Sequence, residues 1–109
     1  MASGLVAARM AGAAQLIVVR GLVDRDAARE IDFIIRHGAS DPPAGVVIDI
    51  SRVEEVNGAL IGALLRASRR LAWRNRRLEI VCEHAELRRR LEIAGLDELA
   101  DVTDRLAPT

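Results

Sequence analysis

The 109-residue chain has no tyrosine, no lysine, one tryptophan, one phenylalanine and one cysteine. A lone thiol, Cys82, cannot close an internal disulfide, so nothing here demands an oxidising compartment. Sixteen basic and sixteen acidic residues cancel. With no net charge, no global field draws the chain to nucleic acid or to an anionic membrane. All the basic residues are arginine and alanine is abundant, which reads as the coding bias of a GC-rich genome more than as chemistry. The longest uncharged apolar run, Met10–Val19, is half of the roughly 20 residues that cross a bilayer. Arg9 interrupts the basic-then-apolar order of a signal peptide. The expectation is a cytoplasmic protein without direct membrane insertion. There is no internal repeat, low-complexity tract or linker, so residues 1–109 read as one domain.

The most informative stretch is Gly45–Leu65, GVVIDISRVEEVNGALIGALL. Val46, Val47 and Ile48 form a β-branched run without polar alternation, which suits a strand buried on both faces in a parallel sheet. A charged loop with Arg52, Glu54 and Glu55 follows. Asn57 then precedes Gly58 and the periodic apolar residues Leu60, Ile61, Leu64 and Leu65. An asparagine there can accept from the orphaned amides of a first helical turn. The stretch therefore reads as strand, loop and capped helix, with amides near Gly58 that favour an anion or a partner's carboxylate.

Before this stretch, Leu5–Arg9 and Gln15–Arg20 suit an antiparallel hairpin turning at Gly12. Asp24 or Asp26 can cap a helix through about His37, with Ala28, Ile31 and Ile35 on one side. Gly38 supplies a C-terminal stop, and Ser40-Asp41-Pro42-Pro43 a loop into the strand Val46–Ile50. The helix from Asn57 runs to about Asn75, with Ser68, Leu71 and Ala72 on its apolar arc. Arg66, Arg69, Arg70, Arg74 and Trp73 lie outside that arc. LEIVCE is a further buried strand, Ala85–Ala94 a helix closed by Gly95, and Ala100–Thr103 a short last strand. The order β-β-α-β-α-β-α-(β) predicts an α/β fold, a mostly parallel mixed sheet with an N-terminal antiparallel edge.

Catalytic chemistry finds little support. Cys82 and His84 are the only close Cys/His pair, and a metal site needs more ligands; a core thiol and a helix-start histidine read better. Ser3, Ser40, Ser51 and Ser68 sit in no nucleophile motif. Asp24/Asp26 and Glu54/Glu55 are paired only in sequence, and capping and solvation account for them. Gly58 and Gly62 form a GxxxG without a following lysine, which reads as close helix packing and not as a phosphate loop. The chain is expected to be no enzyme and to need no cofactor.

Six arginines fall within Arg66–Arg77 with no acid among them. Nucleic acid is disfavoured by the zero net charge and by the lack of interleaved aromatics. A solvated helix face or a surface for an acidic protein partner fits better. Trp73 among the arginines has the composition of an interface hot spot.

VVIDISRVEEVNGALIGALL resembles the signature of STAS domains, the sulfate-transporter and anti-sigma-factor antagonist family. There a strand ending in D-L-S leads through a short loop to D-S-S-G-L at a helix start. RGLVDRDAARE is similar to the family's G-E-L-D segment, and ELRRRLEIAGLDEL to its V-R-R-x-L-E-x-x-G-L segment. The resemblance spans about residues 15–102 and implies a small sheet with helices packed on one side. In the bacterial antagonists of this family, a kinase-type anti-sigma factor phosphorylates the first serine of D-S-S-G. The phosphate ends a complex that would otherwise free the sigma factor. In this alignment Asn57 replaces the aspartate, Gly58 the phosphorylated serine and Ala59 the second serine. Gly58 has no hydroxyl, and Glu55 places a permanent charge in the loop.

The resemblance implies a protein-binding module for partner switching in bacterial transcription regulation and stress response, its partner an anti-sigma factor of the kinase type, without phospho-control at position 58. The partner surface is expected to include Asn57, Gly58, Ala59, Gly62, Arg66, Arg69, Arg70 and Trp73. Alternatives within the family are a subunit on an ABC-type lipid transport ATPase and a non-phosphorylatable scaffold of a stress-signalling assembly. A homodimer, a nucleotide-binding role and a displaced phosphosite such as Ser51 are left open by the sequence.

Overall fold

The computed structural model describes residues 4–37 and 45–105. The expected stop at Gly38 and the loop at Ser40–Pro43 lie outside the described residues. The elements are β1 (Leu5–Ala11), β2 (Ala14–Gly21), α1 (Arg25–His37), β3 (Gly45–Val53), α2 (Gly58–Ala72), β4 (Leu78–Val81), α3 (Ala85–Ile93), α4 (Leu96–Leu99) and β5 (Asp101–Thr103). They form a five-stranded sheet in the order β1-β2-β3-β4-β5. The β1–β2 pair is antiparallel and all other pairs are parallel. The hairpin turns on Gly12 and Ala13, between the closing pair Ala11 and Ala14. Gly12 takes φ 64°, the left-handed value that a two-residue hairpin of this twist needs at its first turn position.

Each parallel strand is joined to the next by helical structure, and the strand order steps in one direction only. Crossovers of one hand then place every helix on the same face of the sheet. One apolar core results. Ile17, Ile48 and Ile80 pair across β2, β3 and β4 and are completely buried. They pack in one cluster with Ile31 of α1, Leu60 and Leu64 of α2, Leu91 of α3 and Leu96 of α4. Each such side chain contributes roughly 1.5–3 kcal/mol on burial.

The same topology overturns the expectation that β3 is buried on both faces. Val46, Ile48 and Ile50 are buried, whereas Val47 and Asp49 between them are half-buried. With the helices on one side, no second helical layer covers the other among the described residues. β3 also continues through Arg52 to Val53, so the charged loop is shorter than its composition suggested.

The end of α2 is fixed by Asn75. It adopts φ 56°, Arg76 N donates to Leu71 O at 2.9 Å and Asn75 N to Ala72 O at 3.0 Å. This is a Schellman closure with asparagine in the left-handed position. The regular helix therefore stops at Ala72, with Trp73 at its C-cap. The short helix α4 was not anticipated. Gly95, at φ 83°, ends α3, and the chain turns at once into Leu96–Leu99, burying Leu96.

Candidate functional site

The starts of α1 and α2 lie side by side, held by side chains that the sequence places just ahead of each. Asp24, and not Asp26, caps α1: its Oδ1 accepts from Ala27 N at 2.8 Å. Asn57 is extended, and its Oδ1 accepts from Leu60 N at 2.9 Å. Its Nδ2 donates to Val23 O, also at 2.9 Å. Glu54 N donates to Gly21 O at 2.9 Å. Asn57 thus caps its own helix and helps tie the β3–α2 loop to the β2–α1 loop, over buried Val53 and Val56. An aspartate could make the first bond but not the second, because a carboxylate has no donor.

Gly58 and Ala59 are the first two residues of α2, so their amides have no partner within the helix. Gly58 is exposed. No atom lies within 4 Å of where its Cβ would stand. The helix start is therefore open to a docking surface. It does not favour a free anion, contrary to the sequence-based expectation. Glu54, Glu55 and Asp26 are exposed and Asp24 is half-buried around these two helix starts. With Arg25 and Arg52 exposed beside them, the four carboxylates keep an excess of about two negative charges, which outweighs about half a positive charge from each helix.

The arginine cluster divides by role. Arg66 Nε donates to both carboxylate oxygens of Asp32 at 3.1 and 3.0 Å, joining α2 to α1. A Cβ at Gly62 would stand 3.1 Å from Arg66 Nη1, so the guanidinium lies back across the glycine one turn earlier. That contact, and the open space at Gly58, replace the expected close helix packing at the two glycines. Arg77 Nε donates to Asp101 Oδ1 at 2.7 Å and Nη2 to Ala100 O at 3.3 Å, clamping β4 to the start of β5. Arg69, Arg70 and Arg74 are exposed, and none of them forms an ion pair among the described residues. Trp73 is 90% exposed.

The expected partner surface is thus a stripe that runs the length of α2. Asn57, Gly58 and Ala59 stand at the start of α2, and Arg69, Arg70 and Trp73 at its end. Fifteen residues at 1.5 Å each separate Gly58 from Trp73 by about 22 Å. Gly62 and Arg66 lie between. Sequence reasoning missed the contribution of α1: Asp32, Ile35 and Arg36 line a groove of about 380 Å³ together with Arg69, Arg70 and Trp73.

The other candidates are accounted for by structure. Ser51 is buried and its Oγ accepts from Glu83 N at 3.0 Å. Ser68 Oγ is buried against Leu64 O at 2.8 Å. Cys82 is buried just past β4, with Sγ 3.6 Å from His84 O; burial pushes its thiol pKa up. His84 is the N-cap residue of α3, and its side chain makes no capping bond. Among the described residues no group of three or more His, Cys, Asp or Glu side chains is placed to hold a metal ion. Among the same residues no helix is long and apolar enough to cross a membrane.

Comparison with known proteins agrees with this architecture. Residues 6–103 match the family model described as Mlab, STAS domain. No curated protein matches. An anti-sigma factor antagonist from Mycobacterium paratuberculosis superposes with a TM-score of 0.80 at 21% identity, covering 94% of this chain and 87% of that one. A variant of RsbS from Moorella thermoacetica gives 0.78 at 18% identity, with the same coverages of 94% and 87%. The anti-sigma factor antagonist SpoIIAA in its unphosphorylated form gives 0.70 at 15% identity, covering 94% and 90%.

Proposed function

Because the chain belongs to the STAS domain family, we propose that it is a non-enzymatic protein-binding module of the anti-sigma factor antagonist type. In this reading it docks on an anti-sigma factor of the kinase type through the Asn57–Gly58 start of α2. The complex is not under phospho-control at position 58. The observation that carries the reading is the pairing of a firmly held platform with an empty switch position. Asn57 is fixed by two hydrogen bonds of 2.9 Å. The next residue, where the resemblance expects a phosphorylated serine, is an exposed glycine with open space around its Cβ position. A phosphoserine there would add up to two negative charges to a docking surface. Gly58 cannot carry them. Ser51, the nearest other hydroxyl in the motif, is buried and bonded.

Regulation would then come from the amount of this protein and not from its covalent state. A module of this kind holds its partner whenever it is present, and partner switching needs a second input elsewhere. The test is a calorimetric titration with a kinase-type anti-sigma factor. The expected result is a saturable complex that Gly58→Glu weakens by roughly tenfold or more, since an added charge in an interface costs several kcal/mol. A complex indifferent to Gly58→Glu would remove the platform from the interface. Binding only to a transporter ATPase would replace the antagonist reading.

A further inference from the structure

The groove between α1 and α2 lies at the opposite end of α2 from Gly58. Both helices follow parallel strands, so they run the same way and their C-terminal halves converge there. Arg36 is in the last turn of α1, and Arg69 and Arg70 in the last turn of α2. All three are exposed, and among the described residues none forms an ion pair. The one acid that lines the groove among the described residues, Asp32, is neutralised by Arg66. Among the same residues that leaves three guanidiniums without an ion pair. The helix C-termini return about half a negative charge each, so an excess of about two positive charges survives. Beside them Trp73 presents a nearly bare indole, and Ile35 lines the floor.

We infer that this groove is a second docking site, one that takes an acidic protein segment carrying an apolar side chain. The inference rests on the reading of the chain as a protein-binding module and gives the module a separate contact about 22 Å from its switch position. Guanidiniums in a fork geometry recognise carboxylates in pairs. An indole next to them supplies the desolvated apolar centre that such contacts need to count energetically. The alternative of a nucleic acid is disfavoured by the extent of the patch. Even with Arg74 beside the groove, four cations and one aromatic ring cover too short a length to track a phosphate backbone, and the other end of the same helix pair is acidic.

Trp73 is the only tryptophan, so intrinsic fluorescence excited at the indole reports on this groove alone. The full chain is titrated with a synthetic peptide of glutamates and aspartates containing one leucine. Matched titrations use a basic peptide of the same length, inorganic phosphate and a single-stranded oligonucleotide. The expected result is a saturable blue shift and loss of acrylamide quenching with the acidic peptide only, weakened by salt. Arg69→Gln with Arg70→Gln lowers the affinity by roughly tenfold, as two exposed charge contacts would, while circular dichroism stays unchanged. Gly58→Glu leaves the titration as it was, which separates this site from the Gly58 platform. No saturable response to the acidic peptide, or an equal or stronger response to phosphate or the oligonucleotide, overturns the assignment. Either outcome leaves the Gly58 titration with the anti-sigma factor to stand or fall on its own.

Discussion

Replacing Asn57 separates the two bonds that make the platform. In Asn57→Ala both are lost: the cap to Leu60 N and the tie to Val23 O, each 2.9 Å long. Removing an N-cap costs about 1 kcal/mol, and leaving the Val23 carbonyl without its donor about 1–3 kcal/mol more. The sum, about 2–4 kcal/mol, lowers Tm by roughly 8 °C or more for a domain of this size. Asn57→Asp is the sharper perturbation. It keeps the cap and gains about 0.3–1 kcal/mol from a negative charge at a helix start. It also leaves the Val23 carbonyl without its donor, at a cost of about 1–3 kcal/mol. The loss outweighs the gain, so Asn57→Asp is expected to be less stable than the native chain by about 1 kcal/mol and more stable than Asn57→Ala. Urea and thermal unfolding of the three proteins, with unchanged m-values, measure the order. An aspartate variant more stable than the native protein by the whole helix-start gain of about 0.3–1 kcal/mol would show that the tie to Val23 contributes nothing, and the structural reason given for an asparagine here would fall.

Two further outcomes follow from contacts elsewhere. A double-mutant cycle on Arg66→Ala and Asp32→Ala should give a coupling of only about 0.2–1 kcal/mol, because the arginine side chain is 54% exposed and solvent screens the pair; a coupling above that range would mean that the bridge organises the α1–α2 contact more firmly than its exposure implies. Cys82 has its pKa raised, first by burial, from an ordinary 9.0. Its neutral form is favoured in the folded state, so its contribution is complete below pH 9.0 and declines as pH rises through the higher folded value. Unfolding of the native chain and of Cys82→Ala across this range should converge at alkaline pH; a constant gap would contradict the assignment.

Much of the fold can be read from periodicity and punctuation. The hairpin at Gly12, the strand before Asn57 and the helix after it follow from local rules, because each depends on neighbours in sequence. What escaped was set by distant partners. Val47 looks like Val46 in the sequence, and only the single-sided crossover topology distinguishes the faces they occupy. Arg66 and Arg77 look like Arg69 and Arg70, yet Asp32 and Asp101, 34 and 24 residues away, engage the first two. The tie from Asn57 to Val23 is equally non-local. The groove has no motif of its own, although a parallel βαβ order already implies that the C-termini of α1 and α2 share one end of the molecule. The resemblance to STAS domains singled out Asn57 and Gly58, and the open space at Gly58 then had to be seen in three dimensions.

The central claim is a partner-binding platform whose usual switch is absent. Its most direct test is to hold the native chain with a kinase-type anti-sigma factor and ATP, following the complex by size-exclusion chromatography and the chain by intact mass. The complex is expected to persist and the chain to gain no phosphate, while Gly58→Ser gains one and leaves the complex. A phosphate on the native chain, with loss of the complex, would contradict the central claim.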